Sequence, residues 1–205
     1  MSVKLPSRFN FPKAEKKYEW LPMLLDAYHI IDSAIKIELE QEENKRNQKC
    51  ACKKGCAICC QKPTVPITDI ELTGISWYAS EQLKGSIRED VKSQLIIHSK
   101  TSSCPFLVKE ECSIYPVRPL ACRAFHIFGE TCIENEDPWL TREEDMWTHS
   151  KDAALRASKK ILPYWGIEDS KKQEIAFNSG FIMYNSKNMH EFDWSILYRN
   201  MLVFE

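Results

Sequence analysis

The chain has no long apolar run, little glycine and almost no net charge, and each shortage removes a class of protein. No apolar run approaches the ~20 residues needed to span a bilayer, so no membrane is expected among its partners. The N-terminal stretch MSVKLPSRFNFPKAEKKYEW is basic but lacks the continuous apolar segment of a secretory signal. Cytoplasmic location is therefore the expectation. A formal net charge of −1 supplies no global field to steer nucleic acid or an anionic surface. There are six glycines in all. G-x-S-x-G, H-E-x-x-H, G-x-G-x-x-G and a phosphate-cradling glycine loop are all missing, and with them the commonest hydrolase, metalloprotease and nucleotide sites. Neither an internal repeat nor a low-complexity linker is visible.

What the chain does have is cysteine. Five of its nine cysteines fall in CACKKGCAICC, residues 50–60. A disulfide framework, a redox dithiol and a metal site compete to explain them. The count is odd and the density too low for a stapled secreted scaffold, and a reducing cytosol disfavours stable disulfides. Cys56 and Cys59 form a C-x-x-C, but no preceding strand or βαβ rhythm of a thioredoxin-like unit accompanies them. A thiophilic metal remains. It holds sulfurs deprotonated and neutralises charge that crowded thiolates would otherwise suffer.

Around this segment the pattern is helical. PMLLDAYHIIDSAIKIELEQEENKR reads as one long amphipathic helix from Pro22, with Leu24, Tyr28, Ile31, Ile35 and Leu39 in a single stripe. Thr68 and Glu71 form a capping box, with Ile67 and Leu72 spaced as a hydrophobic staple. Ser86 with Glu89 and Thr141 with Glu144 repeat the box pattern. CPFLVKEECSIY reads as two short strands around a polar turn. The expectation is a mainly α fold with a small irregular cysteine-rich metal-binding centre and a short β-hairpin. It forms a single domain over 1–205, with an N-terminal arm at 1–20 anchored by Phe9, Phe11 and Trp20. A cysteine-cluster core occupies 50–132 and a helical C-terminal extension 141–205. Trp139, Trp147, Trp165 and Trp194 are assigned to its core.

Cys52, Cys56, Cys59 and Cys60 have the spacing C-x3-C-x2-C-C, which on a helix falls on one face. Cys104 and Cys112 flank the hairpin, and Cys122 follows YPVRPLA. Arg118 and Arg123 bracket Cys122. They are candidates to offset the charge of a thiolate centre, or alternatively to pair with carboxylates. CKKGCAICC, CPFL and CSIYPVRPLACRAF, in that order, resemble the YkgJ-like cysteine-cluster family, a zinc- or iron-chelating domain with a CxxxCxxCC signature. The resemblance runs from about Cys52 to Phe125. It implies a metal centre built from Cys52, Cys56, Cys59, Cys60, Cys104, Cys112 and Cys122. Cys132 and His126 are further candidate ligands outside the signature, and Cys50 reads as an inert thiol.

All-sulfur ligation suits zinc or an iron–sulfur cluster, and the single-loop C-x3-C-x2-C spacing favours the cluster. Radical S-adenosylmethionine enzymes share that spacing but need a strand–helix succession absent here. The basic residues Lys45, Arg46, Lys49, Lys53 and Lys54 read as a solvated helix end rather than a nucleic-acid patch. The reading is a metal-binding cysteine-cluster protein, a structural or sensing module that recruits a protein partner through its helices. The alternative is an iron–sulfur oxidoreductase or a component of one.

Overall fold

The long amphipathic stripe forms the spine of the molecule. In the computed structural model, which describes residues 4–53, 55–62, 64–98, 103–134 and 136–203, a short helix α1 (Pro12–Lys17) leads into α2 (Trp20–Arg46). Leu24, Tyr28, Ile31 and Ile35 are all buried, and Leu39 packs against the same core. At 1.5 Å rise per residue α2 is about 40 Å long. It stops at Asn47, whose left-handed φ of 50° lets its N–H close on Glu43 O.

The expected arm is docked on this spine. Phe11 packs edge-on against Trp77 at 5.0 Å, and Trp20 lies 6.3 Å from the same ring. Arg8 binds Asp26 at 2.7 Å and Glu15 at 2.9 Å. Phe9, by contrast, stays 37% exposed and anchors little.

The Thr68–Glu71 capping box opens α3 (Asp69–Trp77), which leads through a π-helical turn into α4 (Gly85–Ile97). No side-chain cap forms at Ser86, because α4 begins one residue earlier and places Ser86 inside the first turn. Beyond the cysteine-bearing loops and the short α5 (Leu120–Ala124) and α6 (Pro138–Thr141) comes α7 (Lys151–Ile161). It packs along α2 through buried Ala153, Ala157 and Ile161, the two alanines small enough to let the helices approach closely. The Thr141–Glu144 box does not start this helix. Met146 and Trp147 instead pair as a strand, and Ser150 caps α7 by accepting the Ala153 N–H at 3.2 Å. Helices α8 (Ser170–Asn178), α9 (Phe181–Tyr184) and α10 (Ser195–Val203) complete the chain, α10 packing on α4.

Among the described residues three two-residue antiparallel pairs form: β1 (Pro66–Ile67) with β6 (Lys187–Asn188) and β4 (His126–Ile127) with β5 (Met146–Trp147) pin distant segments, while β2 (Leu107–Val108) with β3 (Glu111–Cys112) closes a hairpin. The fold is thus mainly α, with the expected short hairpin and a cysteine-rich irregular centre. Of the four tryptophans assigned to the core, Trp194 is buried, Trp147 and Trp165 pack against the core, and Trp139 is 57% exposed. Among the described residues no helix is long and apolar enough to cross a membrane.

Candidate metal centre

The first cysteine segment is not a helix. Its backbone is drawn out beside β4: Ala51 N–H donates to Ile127 O at 2.8 Å, Gly129 N–H to Lys49 O at 3.2 Å, and Cys50 bridges Phe128. Gly55 then turns the chain with φ of 83°, and a single 3-10 turn spans Ile58–Gln61. The one-face arrangement of Cys52, Cys56, Cys59 and Cys60 is therefore corrected. Inter-strand hydrogen bonds and a left-handed glycine outcompete helix propagation between Gln48 and Ala57.

The hairpin brings the second set to meet it. Lys109 and Glu110 both take left-handed φ, 50° and 62°, making a two-residue turn that would suit Asn-Gly better. Its register sets Leu107 opposite Cys112. Fully buried Phe106 packs edge-on against Trp194 at 5.0 Å, and Ser113 holds Phe106 O through both its N–H and its hydroxyl. Cys104 N–H donates to Cys60 O at 2.7 Å, which ties the two cysteine segments directly.

Cys122 rides on α5, whose position is fixed from below. Glu71, buried at the start of α3, accepts from Thr68 N–H, from the Thr68 hydroxyl and from Leu120 N–H at 2.9, 2.8 and 2.7 Å. One carboxylate so caps two helices, although burial pushes its pKa up. Fully buried Arg123 does the rest. It donates to Asp32 of α2 and to the carbonyls of Tyr115, Pro116 and Arg118, and lies 4.1 Å above the Tyr28 ring.

Five sulfurs are gathered by this framework: Cys59, Cys60, Cys104, Cys112 and Cys122. Cys60 senses the charges of Cys59, Cys104 and Cys112, and Cys122 those of Cys104, Cys59 and Cys112. A hydrogen bond from Cys60 draws the Cys59 pKa down to about 7, against its burial and with help from Arg118, while Cys60 moves up. Burial lifts Cys104 to about 12 and raises Cys112 and Cys122 as well. A second, smaller group lies beside β4. There a hydrogen bond from Cys52 lowers Cys50 to about 7, and Cys56 lies near both Cys52 and Cys132. Cys50 is thus the hydrogen-bonded neighbour of Cys52.

Arg118 stands over the Tyr115 ring at 4.5 Å, and its buried Nε has no hydrogen-bond partner. Its charge favours the thiolates of Cys59, Cys112 and Cys122. The two arginines therefore differ. Arg123 is consumed by Asp32 and backbone, while Arg118 faces the thiols with donor capacity to spare. His126, on β4, is pushed down to about 4 by burial and the nearby Arg118 charge, and its Nδ1 is buried without a partner.

All nine cysteines are free, and none is fully buried or fully exposed. Among the described residues no three Cys, His, Asp or Glu side chains converge on one point where a metal ion could be held. The thiols share a neighbourhood rather than a finished coordination sphere. By chemistry they fit a thiophilic metal: five sulfurs, an arginine with a buried unpartnered Nε to balance thiolate charge, and a backbone that holds their segments together.

Sequence reasoning missed Asp32 and Tyr28 as partners of Arg123, and Glu71 as the cap of α5. Sequence separations of 91 and 49 residues leave no local signal for two of these contacts. Of the basic residues near the α2 terminus, Lys45 and Arg46 pair with Glu42 and Lys49 with Glu43, while Lys53 is exposed. Lys54 lies outside the described residues.

A mainly helical scaffold thus brings thiols from three chain segments into one neighbourhood. Residues 51–150, roughly half of the chain, match the family model CxxCxxCC, described as a "putative zinc- or iron-chelating domain". The matched residues include the motifs that carry the family resemblance. Comparison with curated proteins and with solved structures gives no match.

Proposed function

We propose that the chain is a metal-binding module in which Cys59, Cys60, Cys104, Cys112 and Cys122 form the primary donor set and Arg118 offsets its charge. The observation that carries this reading is the buried, unpartnered Arg118 Nε beside thiols whose ionisation its charge favours. Cys52 and Cys56, with Cys132 beside Cys56, supply further sulfurs at the edge of the group, more than one mononuclear site requires. A polynuclear centre, iron–sulfur in preference to zinc, uses this surplus best.

The metal supplies what apposed thiols lack, a positive charge that keeps several of them ionised together. The chain's own residues do the remainder. Glu71 and Arg123 position α5 and the 115–118 segment, the Cys104–Cys60 backbone bond joins hairpin to loop, and Phe106 seals the interior side. The role is structural or sensing: occupancy of the thiols decides whether these otherwise weakly paired loops stay in place.

Hydrogen exchange tests that role. Removing the metal should strip protection from the cysteine-bearing loops at 50–62 and 103–125 while α2 and α7 keep theirs, since metal binding of this kind is worth about 10–16 kcal/mol in small zinc peptides. Equal protection across those loops with and without metal would defeat it.

A further inference from the structure

Away from the cysteines, two imidazoles face one cavity with nothing to bond. The cavity, about 240 Å³ and partly open to solvent, lies between the end of α4 and the start of α10. Its lining includes Leu95, His98, His190, Asp193 and Trp194, and none of the nine cysteines. His190 is 1% exposed, yet neither of its ring nitrogens has a hydrogen-bond partner. Nε2 of His98 is likewise buried and unpartnered.

A buried polar nitrogen without a partner loses its hydration and gains nothing in return. Three of them at one place ask for a ligand. The other polar groups nearby are already served: Trp194 Nε1–H donates to Met189 O at 3.1 Å, and Asp193 accepts the Ser195 N–H at 3.1 Å. His98 also interacts with the His190 backbone, which keeps the two imidazoles side by side. Burial holds both imidazoles below their ordinary pKa, so each offers a lone pair at neutral pH.

We propose that this pocket binds one divalent ion of the zinc class through His98 Nε2 and a ring nitrogen of His190, with solvent completing the coordination. Two imidazoles on one tetrahedral ion, each nitrogen at about 2.0–2.1 Å, stand with ring centres about 5 Å apart. The rings of His98 and His190 are 5.3 Å apart. Among the described residues no third Cys, His, Asp or Glu completes a metal-binding set, so the site is open and its ion exchangeable. It is independent of the thiols and of the function proposed for them.

The test uses protein whose thiol-bound metal is in place and has been counted. It is titrated with Zn²⁺ by equilibrium dialysis while the five histidine rings are followed by NMR. One further ion per chain is expected, with resonances of His98 and His190 moving and those of His29 and His149 still. His98→Gln, at a half-buried position, should weaken this ion at least tenfold while leaving the thiol-bound metal count and the circular dichroism unchanged. His190→Gln should do the same if it folds. Absence of a further ion, still ring resonances, or equal affinity in His98→Gln and the parent would overturn the proposal and leave the cavity to water.

Discussion

Arg123→Met should destabilise the protein by about 3–4 kcal/mol, a large part of a typical net stability of about 5–15 kcal/mol. The Arg123 side chain is fully buried and joins α5, α2 and the 115–118 turn at one point. Methionine keeps much of the aliphatic stem but removes the charge facing Asp32 and the donors to three backbone carbonyls. Losing one partner of a buried pair costs about 3–5 kcal/mol. Asp32 retains 22% exposure and can recover some hydration, so the lower end applies. The 3.4 Å contact to Tyr115 O adds little. Urea unfolding of the parent, Arg123→Met, Asp32→Asn and the double variant measures both the loss and the coupling. Since each single change strands the other residue, the double variant should cost at least about 1 kcal/mol less than the sum of the singles. A midpoint shift worth under about 1 kcal/mol, or strict additivity, would refute the assignment of Arg123 as the pin of α5.

Arg118 predicts the opposite profile: Arg118→Ala should barely move the unfolding midpoint yet speed metal loss to a chelator several-fold, because its guanidinium leaves only the half-exposed Tyr115 ring and no hydrogen-bonded partner behind. Equal chelator kinetics would return Arg118 to a passive stacking role on Tyr115. Cys59→Ser and Cys122→Ser should each lose metal on desalting, whereas Cys50→Ser should retain it; retention by all three would move the site elsewhere. In metal-free protein, Cys104, Cys112 and Cys122 hold their protons above the unfolded thiol pKa of about 8.5, so the unfolded state binds fewer protons as pH rises past that value. Stability of the metal-free form should therefore be fully present below about pH 8 and fall towards pH 10, by up to about 4 kcal/mol per pH unit for three thiols. Metal-loaded protein, its thiols already ionised, should show no such fall; parallel pH profiles for the two forms would contradict the burial of these sulfurs.

The spine and the Thr68–Glu71 box were legible because each is local. A stripe at spacings of three and four needs no distant partner to be read, and a capping box closes within four residues. The Thr141–Glu144 box failed for a tertiary reason. Met146 and Trp147 gain backbone partners in Ile127 and His126, and that pairing displaces the helix start to Ser150. The helical reading of 52–60 failed similarly, since strand-like contacts to Ile127 and Phe128 are invisible in a segment that contains neither residue. For the thiols, the signature motifs name seven cysteines but not how they divide in space. Cys59 and Cys60 sit with the hairpin and α5, while Cys52 lies beside β4 with Cys50. That division depends on the turn at Gly55 and on the Cys104–Cys60 backbone bond, both outcomes of folding rather than of spacing. The differing fates of Arg118 and Arg123, five residues apart, were equally out of reach, because Asp32 lies 91 residues from Arg123.

The central claim, that the gathered thiols hold metal and in more than one atom per chain, is tested most directly by counting metal and free thiols in protein purified without oxygen. Elemental analysis, the visible spectrum and alkylation mapped by peptide should together give more than one zinc or iron per chain, with Cys59, Cys60, Cys104, Cys112 and Cys122 protected and Cys50 modified. Visible sulfur-to-iron bands would assign iron–sulfur; their absence with bound zinc would assign zinc. Protein with no bound metal and all nine thiols open to alkylation would contradict the account, and one zinc with the remaining thiols free would contradict its polynuclear form.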